Sequence, residues 1–373
     1  MTLEKFKKFI EKETVLVIAF FLAVLSCLAI RPSVAELAGY IDFHVLGVLL
    51  SLMMVVAGLQ KVGVFDFIGI KLLTHVADTR AIVMVLVMLC FFLSMAFTND
   101  VALLTFVPFA IFVLEKAGHP ELLVSAIVLQ TIAANLGSML TPIGNPQNLF
   151  IYQYYGLELS EFIETVLPYA ALSFVLLVVL VLTSKKENVK LSETDFAAVN
   201  AEWGKAGAYT LLFLVAIASV LGFFHWLAVL MFIVGAIAMI DRGIFKNVDY
   251  CLILTFVFFF VFIGNMGSIP LIREILGSLI AGNEVLVGIA ASQAISNVPA
   301  ALLLSEFTQN GKDLLIGVNL GGLGTLIASM ASLISYKAFA KAYPKQRGKY
   351  MVYFSAMNIA YLAVFCLGYI LFY

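Results

Sequence analysis

One acidic residue stands in the middle of a long apolar run. Asp100 follows Thr98 and Asn99, and these three residues interrupt the otherwise apolar stretch 81–115. A carboxylate with apolar sequence on both sides is costly to keep unless it exchanges a proton or holds a cation. We therefore interpret Asp100 as an ion-coupling residue. The alternative is a protonated side chain that only forms a hydrogen bond within its own turn.

A second pair of polar residues, Ser296 and Asn297, interrupts the apolar run 285–307 in the same way. Each interrupted run is followed by a segment rich in helix-breaking residues. Residues 135–152 read NLGSMLTPIGNPQNLFIY and residues 319–336 read NLGGLGTLIASMASLISY, with seven of eighteen positions identical. Proline removes a backbone donor and glycine weakens a helix. Half-helix N-termini freed in this way attract anions, and unwound carbonyls suit a hard cation such as Na⁺.

The composition shows which solvent surrounds these residues. Of the 373 residues, 63% are hydrophobic and 12% are charged, against about 45–50% and about 25% in soluble domains. Such a chain cannot cover itself with polar surface, which excludes a water-soluble enzyme. The apolar runs are continuous, which excludes an outer-membrane barrel. We predict an all-α polytopic membrane protein in a lipid bilayer, with no cofactor, no nucleic-acid partner and no disulfide framework.

Nine crossings and two hairpins account for the apolar sequence. The runs 81–115 and 285–307 give arms of about 17 residues or fewer, which is marginal for a full crossing. We therefore predict two re-entrant hairpins, followed by discontinuous helices at 121–153 and 313–337. Interfacial helices are predicted at 61–80 and 268–282, and simple spans at 14–30, 43–60, 159–183, 207–223, 226–241, 249–267 and 350–373.

The distribution of basic residues orients this topology. With the N-terminus inside, nineteen of the 22 lysines and arginines fall in inside loops, and Arg31, Arg273 and Lys312 stay outside. This is a strong positive-inside bias. It predicts a multi-pass protein of the plasma (inner) membrane with a cytoplasmic N-terminus and an external C-terminus. The polar segment 184–206 becomes a cytoplasmic linker.

The order of hairpin tip, discontinuous helix and simple span occurs twice, once in residues 1–183 and once in residues 207–373. The predicted topology inverts the second copy, so we predict an inverted-topology repeat. Close packing of small residues is the alternative explanation for the sequence match.

These motifs resemble those of the ion transporter superfamily, and most closely its citrate-transporter-like proteins, arsenite permeases and related antiporters. The resemblance rests on Phe97–Leu103, Ala134–Ser138, Thr141–Asn148, Ser296–Ala300 and Asn319–Gly322. It implies a homodimer in which each protomer has a scaffold domain and an elevator-like transport domain. Dicarboxylate carriers have Ser-Asn-Thr at both tips, whereas Asp100 follows Asn99 here and Val298 follows Asn297.

The resemblance also implies the site residues. Substrate binding is carried over to Thr98, Asn99, Asn135, Gly137, Thr141, Asn145, Ser296, Asn297, Asn319, Gly321 and Thr325. Proton or cation coupling is assigned to Asp100, Asn99 and Thr141, and a candidate Na⁺ site to Thr98, Asn99 and Asn145.

Three functions are compatible with these features. The first is a secondary active transporter of a small anion or oxyacid, carboxylate- or arsenite-like, coupled to H⁺ or Na⁺. The second is a Na⁺/H⁺ antiporter without an organic or oxyanion substrate. The third is an ion channel with the hairpins as selectivity elements. An enzyme is not expected, because Asp100 has no nucleophile or second carboxylate beside it in sequence.

Overall fold

A computed structural model describes residues 13–73, 76–189 and 202–372. Within these ranges the secondary structure consists of helices and turns, with no strand beyond one isolated bridge between Asp78 and Asn188. In the first half the helices are α1 (Thr14–Ile30), α2 (Val34–Tyr40), α3 (Phe43–Lys61), α4 (Val64–Leu73), α5 (Thr79–Phe97), α6 (Asn99–Lys116), α7 (Leu123–Ser138), α8 (Pro146–Tyr154) and α9 (Leu159–Leu182). In the second half they are α10 (Trp203–Val220), α11 (Trp226–Ile240), α12 (Tyr250–Gly267), α13 (Pro270–Ile280), α14 (Glu284–Ile295), α15 (Asn297–Ser305), α16 (Gly311–Leu320), α17 (Met330–Ala342) and α18 (Arg347–Phe372).

Seven segments of the described chain are long and apolar enough to cross a membrane, which agrees with a polytopic membrane protein. They are α3, α5, Pro120–Ser138, α9, α10, α12 and Pro344–Ile370. Five of these correspond to predicted simple spans. The other two predicted spans are the apolar but shorter helices α1 and α11, of 17 and 15 residues.

The arms of the first predicted hairpin are longer than the sequence suggested. α5 has 19 residues and α6 has 18, whereas arms of about 17 or fewer were expected. The extra length arises because Asp78 caps α5, its carboxylate accepting from the Ala81 N–H at 2.9 Å. By length and composition α5 alone could cross a membrane.

Both predicted interfacial helices are shorter than expected. The predicted segment 61–80 contains α4, which ends at Leu73 before the undescribed residues 74–75, and the next helix has already begun at Thr79. In the predicted segment 268–282, α13 is followed by α14 at an angle of 114°.

The helix pair α5–α6 and the helix α7 that follows it share one buried core. Gln130 on α7 donates to the Leu86 carbonyl of α5 at 3.3 Å, and further along both helices Gly137 packs against the backbone of Phe91. Because these contacts advance in the same direction, α5 and α7 run parallel. Their breaks, after Phe97 and after Ser138, therefore lie at similar depth.

The second half repeats this packing. Gly317 on α16 lies against the Val285 backbone of α14, and Gly321, directly after α16, lies against Ser292 of α14. α14 and α16 therefore also run parallel. The two halves also pack against each other, because α8 contacts α15 and α17 contacts α6.

Candidate binding site at two helix breaks

One residue of each predicted tip has a strained backbone. Thr98 has φ 69° and ψ 147°, and Ser296 has φ 76° and ψ 152°. Among the described non-glycine residues, Arg31 is the other with a positive φ. This region of φ and ψ is sparsely populated by residues with a side chain, and such strain concentrates at functional sites. Both helix breaks fall within the predicted tips, and they share one unusual conformation.

The asparagine after each tip is held in the same manner. The Asn99 N–H donates to the Gly144 carbonyl at 3.0 Å, and the Asn297 N–H donates to the Ala328 carbonyl at 2.9 Å. Gly144 and Ala328 occupy the same position in the two gap-free segments. In addition, each asparagine Oδ1 accepts from the N–H of the next residue, at 2.9 and 3.0 Å. The amide oxygens are therefore used within the turns.

A threonine from each broken segment bonds to the hairpin arm that precedes the tip. Thr141 donates its hydroxyl to the Met95 carbonyl, and Thr325 donates to the Gln293 carbonyl at 3.4 Å. Each acceptor lies three residues before its tip. The surroundings differ, however: Thr141 is half-buried, whereas Thr325 is exposed.

The two predicted glycines lie at helix contacts. A Cβ on Gly137 would come within 2.2 Å of the Phe91 carbonyl oxygen, and one on Gly321 would come within 2.5 Å of the Ser292 hydroxyl. Glycine is therefore needed at both positions for helices to approach closely. Direct contact of either glycine with a substrate stays a prediction.

Asn135 joins the first break to the second. Its Oδ1 accepts from Asn99 Nδ2 at 3.1 Å and from the Ser329 hydroxyl at 2.9 Å, and its Nδ2 donates to the Gly322 carbonyl at 3.4 Å. Two of these partners lie almost two hundred residues away in the chain. Asn135 is 3% exposed, so these bonds form away from solvent.

Asn319 makes the reciprocal connection. Its Oδ1 accepts from Asn145 Nδ2 at 3.2 Å, and its Nδ2 donates to Asn148 Oδ1 at 2.7 Å and to the Leu315 carbonyl at 2.8 Å. Asn145 also caps α8 by accepting from the Asn148 N–H at 2.9 Å. The two broken segments are thus bound to each other by buried amide side chains.

A cavity of about 160 Å³ lies beside the first break. Three predicted site residues line it: Thr98, Asp100 and Asn145. The buried tip residues Ser296 and Asn297 are not among its lining residues. No described residue donates a hydrogen bond to the Asp100 carboxylate, which leaves that group available to an ion.

The described residues contain no group of three or more His, Cys, Asp or Glu side chains placed to hold a metal ion. For the candidate Na⁺ site, the amide oxygens of Asn99 and Asn145 already accept backbone N–H groups. Among the predicted residues that line the cavity, the Thr98 side-chain hydroxyl and the Asp100 carboxylate accept no backbone N–H.

Several residues of the site escaped prediction. Ser329 and Gln293 participate in the second break, and Gln60 and Asp249 line the cavity. Ser329 and Asn148 fall within the aligned segments, so the alignment could have indicated them as site residues. Gln60 and Asp249 lie at the ends of ordinary predicted spans, where polar residues are expected anyway.

Comparison with known proteins identifies the family of this chain. The model of a family described as citrate transporter matches residues 9–310, which include both tips and the first broken segment. The chain belongs to the citrate transporter family, within the ion transporter superfamily. The match ends just before α16, so the second broken segment lies outside it.

Similar proteins of this family and its relatives are transporters or membrane proteins. The chain is 34% identical over 306 residues to an uncharacterized transporter of Methanocaldococcus jannaschii, covering 81% of this chain and 82% of that protein. It is 32% identical to the inner membrane protein YbiR of Escherichia coli, covering 80% of each. A shorter match, 33% over 129 residues, covers 34% of this chain and 26% of the silicon efflux transporter LSI3 of Oryza sativa subsp. japonica.

Proposed function

We propose that this protein is a secondary active transporter that moves a small anion or oxyacid, carboxylate- or arsenite-like, with H⁺ or Na⁺. The observation that carries the proposal is the junction of two helix breaks by buried asparagines next to a cavity containing one carboxylate from the first tip. Membership of the citrate transporter family supports transport as the activity. The substrate, the coupling ion and the mechanism are the parts that we propose.

The two halves form an inverted-topology repeat in this proposal, with α5–α6 and α14–α15 as re-entrant hairpins. The matching tip conformations and the matching bonds from Asn99 and Asn297 support it. So does the reciprocal packing of α8 on α15 and of α17 on α6. The length of α5 argues for a full crossing instead. The depth of Thr98 in the membrane therefore decides between a re-entrant hairpin and a full crossing by α5.

Substrate would bind between the two breaks. Four helices, α6, α8, α15 and α17, begin there, and helix N-termini carry partial positive charge that suits an anion. No lysine or arginine lines the cavity beside Asp100. A site without fixed positive charge favours a small or weakly charged oxyacid over a tightly held tricarboxylate. The silicon efflux transporter among the relatives is consistent with an oxyacid.

The coupling ion would bind at Asp100, with Thr98, Asn99, Thr141 and Asn145 around it. Loading of ion and substrate would then permit an elevator-like movement of the broken helices against the scaffold. We propose a homodimer in the plasma membrane, as the resemblance to the superfamily implies. The positive-inside bias supports an N-terminus in the cytoplasm and a C-terminus outside.

A Na⁺/H⁺ antiporter is the second candidate. One observation favours it: the charged side chains that line the small cavity are two carboxylates, Asp100 and Asp249. In that mechanism Asp100 would hold Na⁺ and H⁺ alternately, and no other solute would be carried. A channel ranks below both, because the cavity is small and because the two helix breaks of the proposed repeat would meet at a pseudo-symmetric centre, which suits alternating access better than a continuous pore.

Purified protein in proteoliposomes with an internal pH dye tests these candidates. Na⁺ or Li⁺ is added alone, and then citrate, succinate, sulfate, arsenite and silicic acid are added with and without Na⁺. Proton movement that requires one of the solutes supports the proposed transporter and identifies the substrate class. Proton movement with the cation alone identifies an antiporter. Conductance above carrier rates would identify a channel.

A further inference from the structure

A wide cavity of about 1,080 Å³ lies between two groups of helices. One wall is formed by α6 and α17, which pack on each other, and the other by the starts of α1 and α12, which also pack on each other. Glu13, directly before α1, and Tyr250, the first residue of α12, both line the cavity. The predicted topology has both of these helices begin at the cytoplasmic face. The cavity therefore lies at the level where they enter the membrane.

The wall formed by α6 and α17 is largely apolar. α17 contributes Met330, Ile334 and Ala338, which are four residues apart and therefore share one face of the helix. α6 contributes Leu104 and Pro108, also four residues apart. Leu104 is 52% exposed, and Pro108 is exposed too. Apolar side chains left open at the membrane level favour an apolar occupant over a small hydrophilic solute.

Three lysines line the same cavity. Lys246 ends the short 3₁₀ helix Arg242–Lys246, and Lys337 and Lys341 lie about one turn apart on α17. Among the residues that the structure describes, no carboxylate forms an ion pair with any of the three. Their positive charges are therefore available to an anion inside the cavity.

Two acidic residues, Glu13 and Asp249, also line the cavity, so the lysines outnumber them by one. Both acidic residues lie on the wall formed by α1 and α12. The Asp249 carboxylate accepts from the Leu252 N–H of its own helix at 3.1 Å, and the start of a helix offsets part of a negative charge. Lys337 and Lys341 lie on the opposite wall. An anion is therefore favoured on the α17 side, directly beside the apolar face of that helix.

We propose that this cavity binds an anionic phospholipid. Its phosphate is held by Lys246, Lys337 and Lys341, and its acyl chains lie along the apolar faces of α6 and α17. Basic pockets between membrane helices on the cytoplasmic side bind anionic headgroups in this way. A soluble anion would use the lysines but leave Leu104 and Pro108 uncovered. The site requires neither the proposed substrate nor the proposed coupling ion.

Binding of phosphatidylglycerol to the purified protein in a neutral detergent tests the proposal, with zwitterionic phosphatidylcholine for comparison. Native mass spectrometry counts the bound molecules of each lipid. We expect the wild type to bind phosphatidylglycerol at least about fivefold more tightly. The triple variant Lys246→Gln, Lys337→Gln, Lys341→Gln should lose about fivefold in phosphatidylglycerol affinity per lysine removed, because a lysine near an anionic surface contributes about that factor. Its phosphatidylcholine binding should not change.

The matched control is the triple variant Lys116→Gln, Lys345→Gln, Lys349→Gln. The positive-inside bias assigns these lysines to the same face, and they line neither this cavity nor the one beside Asp100. The control removes the same total charge, and its phosphatidylglycerol affinity should stay within about twofold of the wild type. Equal losses in both triple variants would show that the charge of the whole face attracts the lipid, and would overturn the site.

Phosphatidylglycerol with a photoactivatable group in an acyl chain locates the apolar part of the site. Crosslinks mapped by mass spectrometry should fall on α6 between Leu104 and Ile111 and on α17 between Met330 and Ala338. They should be largely lost in the triple variant of the cavity lysines. Crosslinks confined to other helices, or unchanged in that variant, would contradict the proposed position of the chains.

Glycerol phosphate carries the anionic group without acyl chains and therefore distinguishes a lipid from a soluble anion. Phosphatidylglycerol should raise the melting temperature of the wild type but not that of the triple variant, and glycerol phosphate at the same concentration should have no effect. Equal, lysine-dependent stabilisation by glycerol phosphate would assign the site to a soluble anion and overturn the lipid. If the triple variant does not purify, Lys337→Gln alone should weaken phosphatidylglycerol binding about fivefold.

Discussion

The first and second helix breaks have the same backbone geometry but different side-chain chemistry. Thr98 and Ser296 have nearly the same φ and ψ, and the following asparagines donate to carbonyls at equivalent positions. Beyond that, the first break has Asp100 where the second has Val298. A cavity lies beside Asp100, whereas Val298 is buried. Shared backbone geometry therefore fixes where the two breaks meet, and the side chains of one half provide the charge.

The largest difference between the halves should appear in ion coupling. Asp100→Asn should reduce coupled flux by about 100-fold or more, because an intramembrane carboxylate is the group that can exchange a proton or neutralise a cation. Val298→Ala changes the equivalent position in the other half and should leave coupled flux within about twofold. Flux is measured in proteoliposomes with matched protein content. Equal losses in both variants would show that the charge is not what distinguishes the halves.

The next largest difference between the halves should appear in stability, at Gly144 and Ala328. The carbonyls of these two residues accept the equivalent hydrogen bonds from Asn99 and Asn297. A Cβ on Gly144 would lie 2.1 Å from the Ser138 carbonyl oxygen, so Gly144→Ala should lower stability by about 3 kcal/mol. Ala328→Gly should cost only about 1 kcal/mol, from added freedom of the unfolded chain. Thermal unfolding of the purified proteins in detergent measures both. Tolerance of alanine at 144 would mean that the two turns are interchangeable.

Removing the asparagines that join the halves should affect both halves equally. Asn135→Ala and Asn319→Ala each remove three side-chain hydrogen bonds, and at about 0.6 kcal/mol per bond in a membrane protein each should cost about 2 kcal/mol. Asn358→Ala is the control, because Asn358 donates one bond to Phe354 of its own helix. A loss for Asn135→Ala no larger than for Asn358→Ala would contradict the connection between the breaks.

The smallest difference concerns the two threonines. Thr141→Val removes a half-buried bond to Met95 and should cost about 1 kcal/mol. Thr325→Val removes a 3.4 Å bond on an exposed side chain and should change the melting temperature very little. Similar losses for both substitutions would mean that the second break is packed as tightly as the first.

Sequence alone located the helix breaks well, because proline, glycine and polar residues inside apolar runs interrupt a helix at the place where they occur. Thr98 and Ser296 separate pairs of helices, and the first broken segment lacks helix from Met139 to Asn145. The lengths of the helices were predicted less well. α5 begins earlier than hydropathy suggested because Asp78 caps it, and a cap depends on one hydrogen bond that composition does not report.

The connections between the halves could not be predicted from sequence. Asn135 and Ser329 meet across 194 residues, and only the packing of α17 near α6 and α7 brings them together. Asp249 gave no signal, since an aspartate at the start of a span is ordinary. Thr325, expected in the site by its match to Thr141, is exposed, and it directly follows Gly324, whose φ is 100°. Its role in substrate binding stays a prediction.

Proton exchange on ligand binding tests the central claim most directly. Purified protein in weakly buffered detergent, with a pH dye, receives Na⁺ or the solute that drives flux, and the protons released or taken up per chain are counted. The wild type and Val298→Ala should exchange about half a proton per chain near the pH midpoint of flux, and Asp100→Asn should exchange none. An undiminished proton count in Asp100→Asn would contradict the assignment of the coupling charge to the first break.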